Sequence, residues 1–325
     1  MTTTPRYRRI LLTGGTGFVG AHFCPALNAA FPDAERLLVR MPGDDGVREG
    51  WRTADGAITD GAAVREIVRA FQPDLVLHLA AQASGGASLA AGEATWRVNF
   101  DGALELASAV ARHARQATFF FVSSSETYGR SFLGGPVTED AALQPMNAYA
   151  RSKAAAEAML PDVLRPDQPL IIVRPFNHTG PGQDTRFVLP AFAAQIVAIE
   201  NGAAPVVKVG NLDARREFLD VRDVAAGYVA LLSRAAPLRA TYNVASGESH
   251  RIGDVLERLR ARARALFDIE PDAARMRPSD IPVAVGSAAR LVEATGWRPR
   301  IPLDTTLDAL MADWRARAER IAAAP

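Results

Sequence analysis

A glycine-rich turn near the amino terminus constrains the fold more than any other feature of the sequence. The segment RILLTGGTGFVGAHF, residues 9–23, places Gly14, Gly17 and Gly20 three residues apart, between a short apolar run and a helical pattern. One such glycine permits a tight turn, a second permits close approach of a pyrophosphate, and a third permits packing of the helix on the strand. The helix N-terminus then faces the phosphates. An ordinary turn is the alternative for an isolated glycine motif, and its place between a strand and a helix disfavours that alternative.

Strand-like and helix-like segments alternate through the first half of the chain. Short apolar runs predict strands at residues 10–13, 36–39, 75–79, 118–123 and 171–174, and longer patterns predict helices at 20–30, 61–71, 95–114 and 148–160. This alternation predicts an α/β fold with a Rossmann-like doubly wound parallel sheet. After Pro175 glycine and proline become frequent, which predicts a smaller C-terminal substrate-binding lobe over the carboxyl edge of the sheet.

Composition excludes several classes of protein. The 325 residues, 48% of them hydrophobic, suffice for a large α/β domain that carries a smaller lobe. We place the dinucleotide-binding domain in residues 1–174, with returns near 218–246, and the lobe mainly in 175–325. The 37 basic and 36 acidic residues leave a net charge of +1, so neither a nucleic acid nor a membrane is an expected partner. No apolar run approaches the ~18 residues of a membrane span.

Cysteine and histidine content bears on location and on metal binding. Cys24 is the single cysteine, which excludes an internal disulfide and fits a cytoplasmic protein. The apolar run that follows the N-terminal arginines is also shorter than the about 7–15 residues of an export signal. The five histidines show no metal-ligand spacing, so we expect no metal ion. For His178 we expect a structural or substrate-contact role rather than proton transfer.

Four further motifs point to a known family. These are HLAAQ at 78–82, VNFDG at 98–102, SSSETYG, and the YARSK that follows it. Together with the glycine spacing, they resemble the extended short-chain dehydrogenase/reductase family, and the resemblance covers nearly the whole chain. The resemblance implies that a nicotinamide dinucleotide lies on the glycine-rich turn and that Asn99 has a structural role beside it. The residues implied for the cofactor site are Gly14, Gly17, Phe18, Val19, Gly20, Arg40, Ile58, Asp60, Leu79, Ala80, Ala81, Asn99, Ser123, Tyr149, Lys153 and Pro175.

Tyr149 and Lys153 are the candidate catalytic pair. Four residues apart on a predicted helix, they project from one face. An ammonium beside a phenol favours the phenolate, so we expect the pKa of Tyr149 to lie below about 10. The resemblance gives Lys153 a second role, at the nicotinamide ribose, and makes Ser124 the hydroxyl that hydrogen-bonds the substrate oxygen. An isolated Y-x-x-x-K is more often an exposed tyrosine and a solvated lysine, and the preceding motifs disfavour that alternative here.

The end of the second predicted strand bears on cofactor choice. An acid at this place binds the adenosine 2′-hydroxyl, whereas an arginine accommodates a 2′-phosphate. The segment LLVRMPG offers Arg40 and no acid, which favours NADP(H) and leaves NAD(H) possible, unless Arg40 points into solvent. In GAITD, Ala57 stands where the family usually has an aspartate, so Ile58 and Asp60 are left for the adenine contact.

The second half resembles the branch of the family that acts on GDP-linked 6-deoxyhexoses. The segments that carry this resemblance are RPFNHTGPGQDTRFVLPAF, KVGNLDARREFLDVRDV and RPSDIPVAV. It implies a GDP-linked hexose as substrate, and arginine forks suit the pyrophosphate of such a molecule. Without the resemblance, these arginines would be ordinary surface residues. The residues implied for substrate binding are Gln82, Ser125, Asn177, Val188, Lys208, Arg216, Arg277 and Asp280.

The resemblance implies reduction of GDP-4-keto-6-deoxy-D-mannose to GDP-D-rhamnose by NAD(P)H, with Tyr149 as proton donor. Glu126 supports an alternative, because similar 4,6-dehydratases use a glutamate at this place to remove the C5 proton of GDP-mannose. Another sugar-nucleotide epimerase or reductase is a third candidate. A module that binds dinucleotide without turnover is expected to lack Tyr149, Lys153 and Ser124, and all three are present. The family often forms homodimers through a four-helix bundle, for which residues 95–114 and 148–160 are the candidates.

Overall fold

Seven parallel strands form the central sheet of the computed structural model, which describes residues 7–82, 92–234, 239–276 and 281–323. Six of them come from residues 9–175 and one from residues 239–244. The strands of this part of the chain are, in order, β1 (Arg9–Thr13), β2 (Glu35–Arg40), β3 (Arg52–Asp55), β4 (Leu75–His78), β5 (Thr118–Val122), β6 (Leu170–Pro175), β7 (His178–Thr179), β8 (Val206–Val209), β9 (Arg215–Arg216), β10 (Leu219–Asp220), β11 (Arg239–Val244), β12 (His250–Arg251), β13 (Asp268–Pro271) and β14 (Val283–Ala284).

The order of the central sheet is β11-β6-β5-β4-β1-β2-β3, and each neighbouring pair is parallel. This arrangement confirms the predicted Rossmann-like α/β fold. Ten α-helical segments of the described chain accompany the strands: α1 (Phe18–Ala30), α2 (Gly61–Phe71), α3 (Gly92–Trp96), α4 (Gly102–His113), α5 (Ala148–Val163), α6 (Val188–Glu200), α7 (Val221–Leu232), α8 (Ile252–Arg260), α9 (Ala289–Thr295) and α10 (Leu303–Ala322).

Helices cover both faces of the sheet. On one face α1 packs against α7, and the core there contains Phe23, Phe120 and Tyr228. On the other face α2 packs against α4 and α4 against α5, around Val68, Val110 and other apolar side chains. The residues of β4 are buried throughout, as expected for a parallel strand covered on both sides. A third core, outside the sheet, holds α6, α8 and α10 together.

The chain returns to the sheet after the predicted domain boundary. Strand β11 pairs with β6 over residues 239–244, and α7 lies against α1. Residues 188–200 and 303–322, in contrast, belong to the third core. The domain boundary between residues 174 and 175 stays a prediction. The chain crosses back into the first domain at α7 and β11.

A π-helical turn, Arg97–Asp101, joins α3 to α4 and holds the buried Asn99. Its Oδ1 accepts a hydrogen bond from the Gln82 backbone N–H at 2.8 Å, and its Nδ2 donates to Ser152 Oγ at 3.1 Å. Ser152 lies on α5, between the two candidate catalytic residues. Asn99 therefore joins the end of β4 to the helix that carries these residues.

No helix in the described ranges is long and apolar enough to cross a membrane. Within the same ranges, His, Cys, Asp and Glu side chains do not gather in groups of three or more that could hold a metal ion.

Gly20→Ala tests the close packing of α1 on the glycine-rich turn. A Cβ at Gly20 would lie 2.2 Å from the backbone oxygen of Gly15, so the helix must shift. We expect a free energy of unfolding lower by about 1–3 kcal/mol, as for other overpacked sites, measured by urea denaturation. Gly92→Ala is the control, because nothing lies within 4 Å of a Cβ at Gly92. Equal stability of the two variants would contradict the packing role of Gly20.

Candidate active site

A cleft of about 620 Å³ lies over the carboxyl ends of the central strands. Gly14 follows β1, Arg40 ends β2, Leu79 follows β4, Ser123 follows β5 and Pro175 ends β6, and all five line the cleft. Parallel strands place their carboxyl ends at one edge of a sheet, which is where open α/β folds bind ligands. The far wall comes from the loop after β7 and the start of α6.

The glycine-rich turn leaves room for a phosphate group. Gly14 has a φ of +74°, and a Cβ there would lie 2.5 Å from the backbone nitrogen of Ala80. Gly17 caps α1 without a side-chain hydrogen bond, and the first turn of α1 contains no acidic residue. The helix N-terminus therefore presents its backbone N–H groups and positive dipole end to the cleft. These features fit the pyrophosphate of a dinucleotide.

The four candidate catalytic residues come together on one wall of the cleft. Ser124 and Glu126 lie at the short 3₁₀ helix Ser125–Tyr128 that follows β5, and Tyr149 and Lys153 lie on α5. Lys153 Nζ donates a hydrogen bond to the Val122 carbonyl at 2.7 Å. It also lies 4.8 Å from the centre of the Phe121 ring. The ammonium is thus held at the end of β5, beside the tyrosine.

The pKa of Tyr149 departs from its ordinary value in the direction opposite to our prediction. Burial raises the pKa of the phenol, the nearby Glu126 carboxylate raises it further, and a hydrogen bond from the Ser124 hydroxyl opposes both effects. The expectation that the pKa of Tyr149 lies below its ordinary value is therefore wrong. Desolvation disfavours the charged phenolate of a buried tyrosine, and it is the largest of these effects. Tyr149 is protonated at neutral pH, which is the state that a proton donor needs.

Burial also changes the titration of Lys153. Desolvation lowers the pKa of its ammonium to about 7, and the carboxylate of Glu157 acts in the opposite direction. Glu157 lies one helical turn after Lys153 on α5, so the two side chains share a face. The charge of Lys153 therefore depends on Glu157.

Glu157 belongs to a buried network beneath the cleft. The N–H of Arg174 Nε is shared between the two oxygens of the Glu157 carboxylate, each at 3.1 Å, and Arg174 Nη2 and Ser123 Oγ donate further hydrogen bonds to it. Arg174 Nη1 donates to the Tyr128 hydroxyl at 2.9 Å, and that hydroxyl donates to Asn243 Oδ1 at 2.7 Å. The ion-paired side chains are only 8% and 5% exposed. A buried ion pair whose other donors and acceptors are also hydrogen-bonded keeps its side chains in one fixed arrangement.

Glu126 is positioned by the residue that caps α5. Asn147 Oδ1 accepts from the Ala150 backbone N–H at 2.8 Å, and Asn147 Nδ2 donates to Glu126 Oε2 at 2.9 Å. One side chain therefore begins the catalytic helix and orients the carboxylate in the cleft. Sequence reasoning did not single out Asn147, although asparagine before a helical pattern is an N-cap signal.

The predicted cofactor residues divide into those that line the cleft and those that support it. Gly20 packs α1 on the turn, Asp60 caps α2 through the backbone N–H groups of Ala62 and Ala63, and Asn99 holds the end of β4. The predicted cofactor residues that line the cleft are Gly14, Gly17, Phe18, Val19, Arg40, Ile58, Leu79, Ala80, Ala81, Ser123, Tyr149, Lys153 and Pro175.

The predicted substrate residues are more scattered. Asn177 and Val188 line the cleft, while Gln82, Ser125, Lys208 and Arg216 do not. Lys208 is exposed on β8, and its backbone N–H donates a hydrogen bond to Gln195 Oε1 at 2.9 Å. The guanidinium of Arg216 donates to the Ile281 carbonyl at 3.1 Å. Arg277 and Asp280 lie outside the described residues.

Several lining residues were not predicted. Asp44 comes from the loop after β2, Arg186 from the loop after β7, and Tyr228 from α7 on the sheet face. His178, for which we expected a structural or substrate-contact role, also lines the cleft; its Nδ1 lies 2.9 Å from the Phe176 carbonyl, and its ring stacks on Phe18. The P-G-D-D-G run indicates a turn near Asp44, but no sequence signal shows that its side chain faces a ligand site.

Extended short-chain dehydrogenases/reductases share this sheet and cleft, and the fold and the site assign the chain to that class. A family model described as GDP-mannose 4,6 dehydratase matches residues 11–310. The chain belongs to this family.

Individual relatives agree with this assignment. The chain is 34% identical to GDP-6-deoxy-D-mannose reductase of Pseudomonas aeruginosa over 319 residues, which cover 95% of this chain and 98% of that protein. A solved structure of RMD from Pseudomonas aeruginosa complexed with NADPH matches with a TM-score of 0.81 and 32% identity, over 95% of this chain and 99% of that one. The UDP-glucose 4-epimerase of Thermus thermophilus in complex with NAD matches with a TM-score of 0.82 and 27% identity, over 94% and 99%. The chain is an enzyme of the class that contains these proteins.

Glu157→Gln tests the buried network. The substitution leaves the Arg174 guanidinium buried without its carboxylate, so we expect a loss of about 3–5 kcal/mol in the free energy of unfolding. Urea denaturation followed by far-UV circular dichroism measures it. Glu66→Gln, which breaks an exposed pair with Arg69, is the matched control and should leave stability unchanged. A similar result for both variants would show that the Glu157 pair adds nothing to stability.

Proposed function

We propose that this enzyme reduces GDP-4-keto-6-deoxy-D-mannose to GDP-D-rhamnose with NADPH. The observation that carries the proposal is that Ser124, Tyr149 and Lys153 come together on the wall of a cleft that begins at the glycine-rich turn. Similarity to a GDP-6-deoxy-D-mannose reductase over 95% of the chain supports the choice of substrate.

The chain's own residues supply the proton and stabilise charge. NADPH, when bound, supplies a hydride to the carbonyl carbon at C4 of the sugar. As the carbonyl oxygen gains negative charge, Tyr149 transfers its hydroxyl proton to that oxygen, and Ser124 donates a hydrogen bond to it. The phenolate that remains is stabilised by the Lys153 ammonium and regains a proton from water. The C4 ketone thus gains one hydride and one proton and becomes an alcohol.

The residues that line the cleft define where the cofactor would lie. The glycine-rich turn and the N-terminus of α1 would hold the pyrophosphate, Tyr149 and Lys153 the nicotinamide ribose, and Arg40 the adenosine end. Arg40 favours NADP(H), and NAD(H) is the second possibility. Similar solved structures hold NADPH in one case and NAD in another.

The sugar nucleotide would occupy the wall formed by the lobe. Asn177 and Val188 are the substrate residues that already line the cleft. We propose that Arg216 binds the pyrophosphate of the substrate, together with Arg277, and that Gln82, Ser125, Lys208 and Asp280 complete the site. Arg216 lies close enough to Glu126 for the two charges to attract each other, which supports its place at the edge of the cleft.

Glu126 favours a second candidate function, GDP-mannose 4,6-dehydration. Its carboxylate lines the cleft, is oriented by Asn147, and lies close enough to Tyr149 to raise the pKa of the phenol. A carboxylate in this position can remove the C5 proton of a 4-keto sugar. Water then leaves across C5 and C6. The hydride that a bound oxidised cofactor would accept from C4 of GDP-mannose to form the ketone would return to C6, with no net change in the cofactor.

We further propose that the enzyme is a cytoplasmic homodimer that packs α4 and α5 of each subunit into a four-helix bundle. Light scattering should then give a mass near twice the 34.8 kDa of one chain. A mass near that of one chain at assay concentration would contradict the dimer.

Tyr149→Phe and Glu126→Gln separate the two functions. With GDP-4-keto-6-deoxy-D-mannose and NADPH, we expect Tyr149→Phe to lose about 10²–10⁴-fold in kcat, because the proton donor is removed. Glu126→Gln should retain the reduction. The decrease in nicotinamide absorbance and the product by NMR measure the reaction. NADPH affinity near that of the wild type shows that Tyr149→Phe has kept its cofactor site.

The result with GDP-mannose distinguishes the alternative. Conversion of GDP-mannose without net change in the cofactor, lost in Glu126→Gln, would identify a dehydratase and overturn the proposed reduction. Consumption of the keto sugar with one NADPH oxidised for each molecule reduced would support it.

A further inference from the structure

The adenosine end of the cleft contains a cation that is only partly neutralised. Arg40 Nε donates to Asp55 Oδ1 at 2.6 Å, and Arg40 Nη1 donates to the Gly46 carbonyl at 3.3 Å. Within the described part of the chain, Arg40 Nη2 makes no hydrogen bond. Arg40 lines the cleft, so its guanidinium keeps donors for a ligand. A 2′-phosphate is a suitable partner for a planar guanidinium.

An acidic side chain lines the same end of the cleft. Asp44 Oδ1 accepts a hydrogen bond from the Gly46 backbone N–H at 2.8 Å. A hydrogen bond from the Thr16 side chain, the one from Gly46, and the nearby Arg40 and Arg48 lower the pKa of the Asp44 carboxyl. Asp44 is therefore ionised at neutral pH. The sequence offers no acid at the end of β2, and the tertiary structure supplies one from the following loop.

The loop that carries Asp44 is tied to the glycine-rich turn. Arg48 Nε donates to the Gly15 carbonyl at 3.0 Å, and Arg48 Nη2 donates to the Thr16 carbonyl at 2.6 Å. Gly46 lies against the Thr16 side chain, because a Cβ at Gly46 would be 2.8 Å from Thr16 Cγ2. These contacts hold the loop, and with it the Asp44 carboxylate, at the adenosine end of the cleft.

We propose that Asp44 is a specificity-determining residue for the dinucleotide, which accepts a hydrogen bond from an adenosine 2′-hydroxyl and repels a 2′-phosphate. Arg40 has the opposite preference, so the two side chains together admit both forms of the cofactor. An ionised carboxylate is an acceptor only, and it has no proton to donate to a phosphate oxygen. The inference rests on the proposed function, because it requires that a nicotinamide dinucleotide binds in this cleft.

Asp55 is a matched comparison for Asp44. Both carboxylates lie near Arg40, but Asp55 is 56% exposed and does not line the cleft. Removal of either charge strengthens the net positive field around Arg40. Only removal of the Asp44 charge weakens an acceptor for the 2′-hydroxyl. Asp45, which is exposed beside Asp44 and does not line the cleft, controls for a change of net charge in the loop.

Calorimetry with ADP-ribose and 2′-phospho-ADP-ribose tests the inference without the reaction. We expect Asp44→Asn to lower the affinity for ADP-ribose about tenfold, as for loss of one charged hydrogen bond. The same substitution should raise the affinity for 2′-phospho-ADP-ribose several-fold. Asp55→Asn should raise the affinity for the 2′-phosphorylated ligand and leave the affinity for ADP-ribose unchanged. Asp45→Asn should change neither by more than about twofold. Circular dichroism confirms that each variant is folded.

The outcomes separate this inference from the proposed function. Suppose that both ligands bind the wild type, and that the ratio of their dissociation constants is the same in Asp44→Asn as in Asp45→Asn. The role of Asp44 is then overturned, while the cofactor site stands. If Asp44→Asn and Asp55→Asn change both ligands alike, charge alone is responsible and Asp44 makes no contact. If neither ligand binds the folded wild type, dinucleotide binding and the proposed reduction fail together.

Discussion

The buried ion pair between Glu157 and Arg174 is the interaction on which the geometry of the active site depends. It joins the helix that carries Tyr149 and Lys153 to β6 of the central sheet, and Ser123 adds a hydrogen bond from the end of β5. From Arg174 the network continues through the Tyr128 hydroxyl to β11, which enters the sheet from the second half of the chain. A satisfied network of this kind connects five segments, namely α5, the end of β5, the short 3₁₀ helix that holds Tyr128, β6 and β11, and leaves little freedom for the catalytic helix.

The same pair contributes to the chemistry by its charge. Lys153 is so deeply buried that desolvation opposes its positive charge, and Glu157 is the carboxylate that counteracts this effect. Tyr149 is buried beside it and holds its proton at neutral pH. A site with a neutral phenol and a lysine whose pKa is about 7 suits donation of a proton to a developing alkoxide.

Opposed charges recur at the other end of the cleft. Arg40 is shared between Asp55 and the space for a ligand, and Asp44 faces that space from a loop fixed to the glycine-rich turn. At both ends, therefore, an arginine or a lysine in the wall has a carboxylate near it. Such pairs make the affinity for an anionic ligand depend on contacts between residues far apart in the sequence.

The amino-acid sequence by itself determined the central architecture and much of the catalytic wall. Apolar periodicity located five strands of the sheet, and the glycine spacing and Y-x-x-x-K placed Gly14, Tyr149 and Lys153 on the cleft, because these signals depend on local backbone geometry. It missed β3, a short strand with mostly exposed residues and no apolar alternation.

Only the tertiary structure decided that Asp44 faces the cleft, that Glu157 acts on Lys153 and Arg174, and that the pKa of Tyr149 is raised. Burial and long-range pairing set these properties, and neither has a local signature in the sequence.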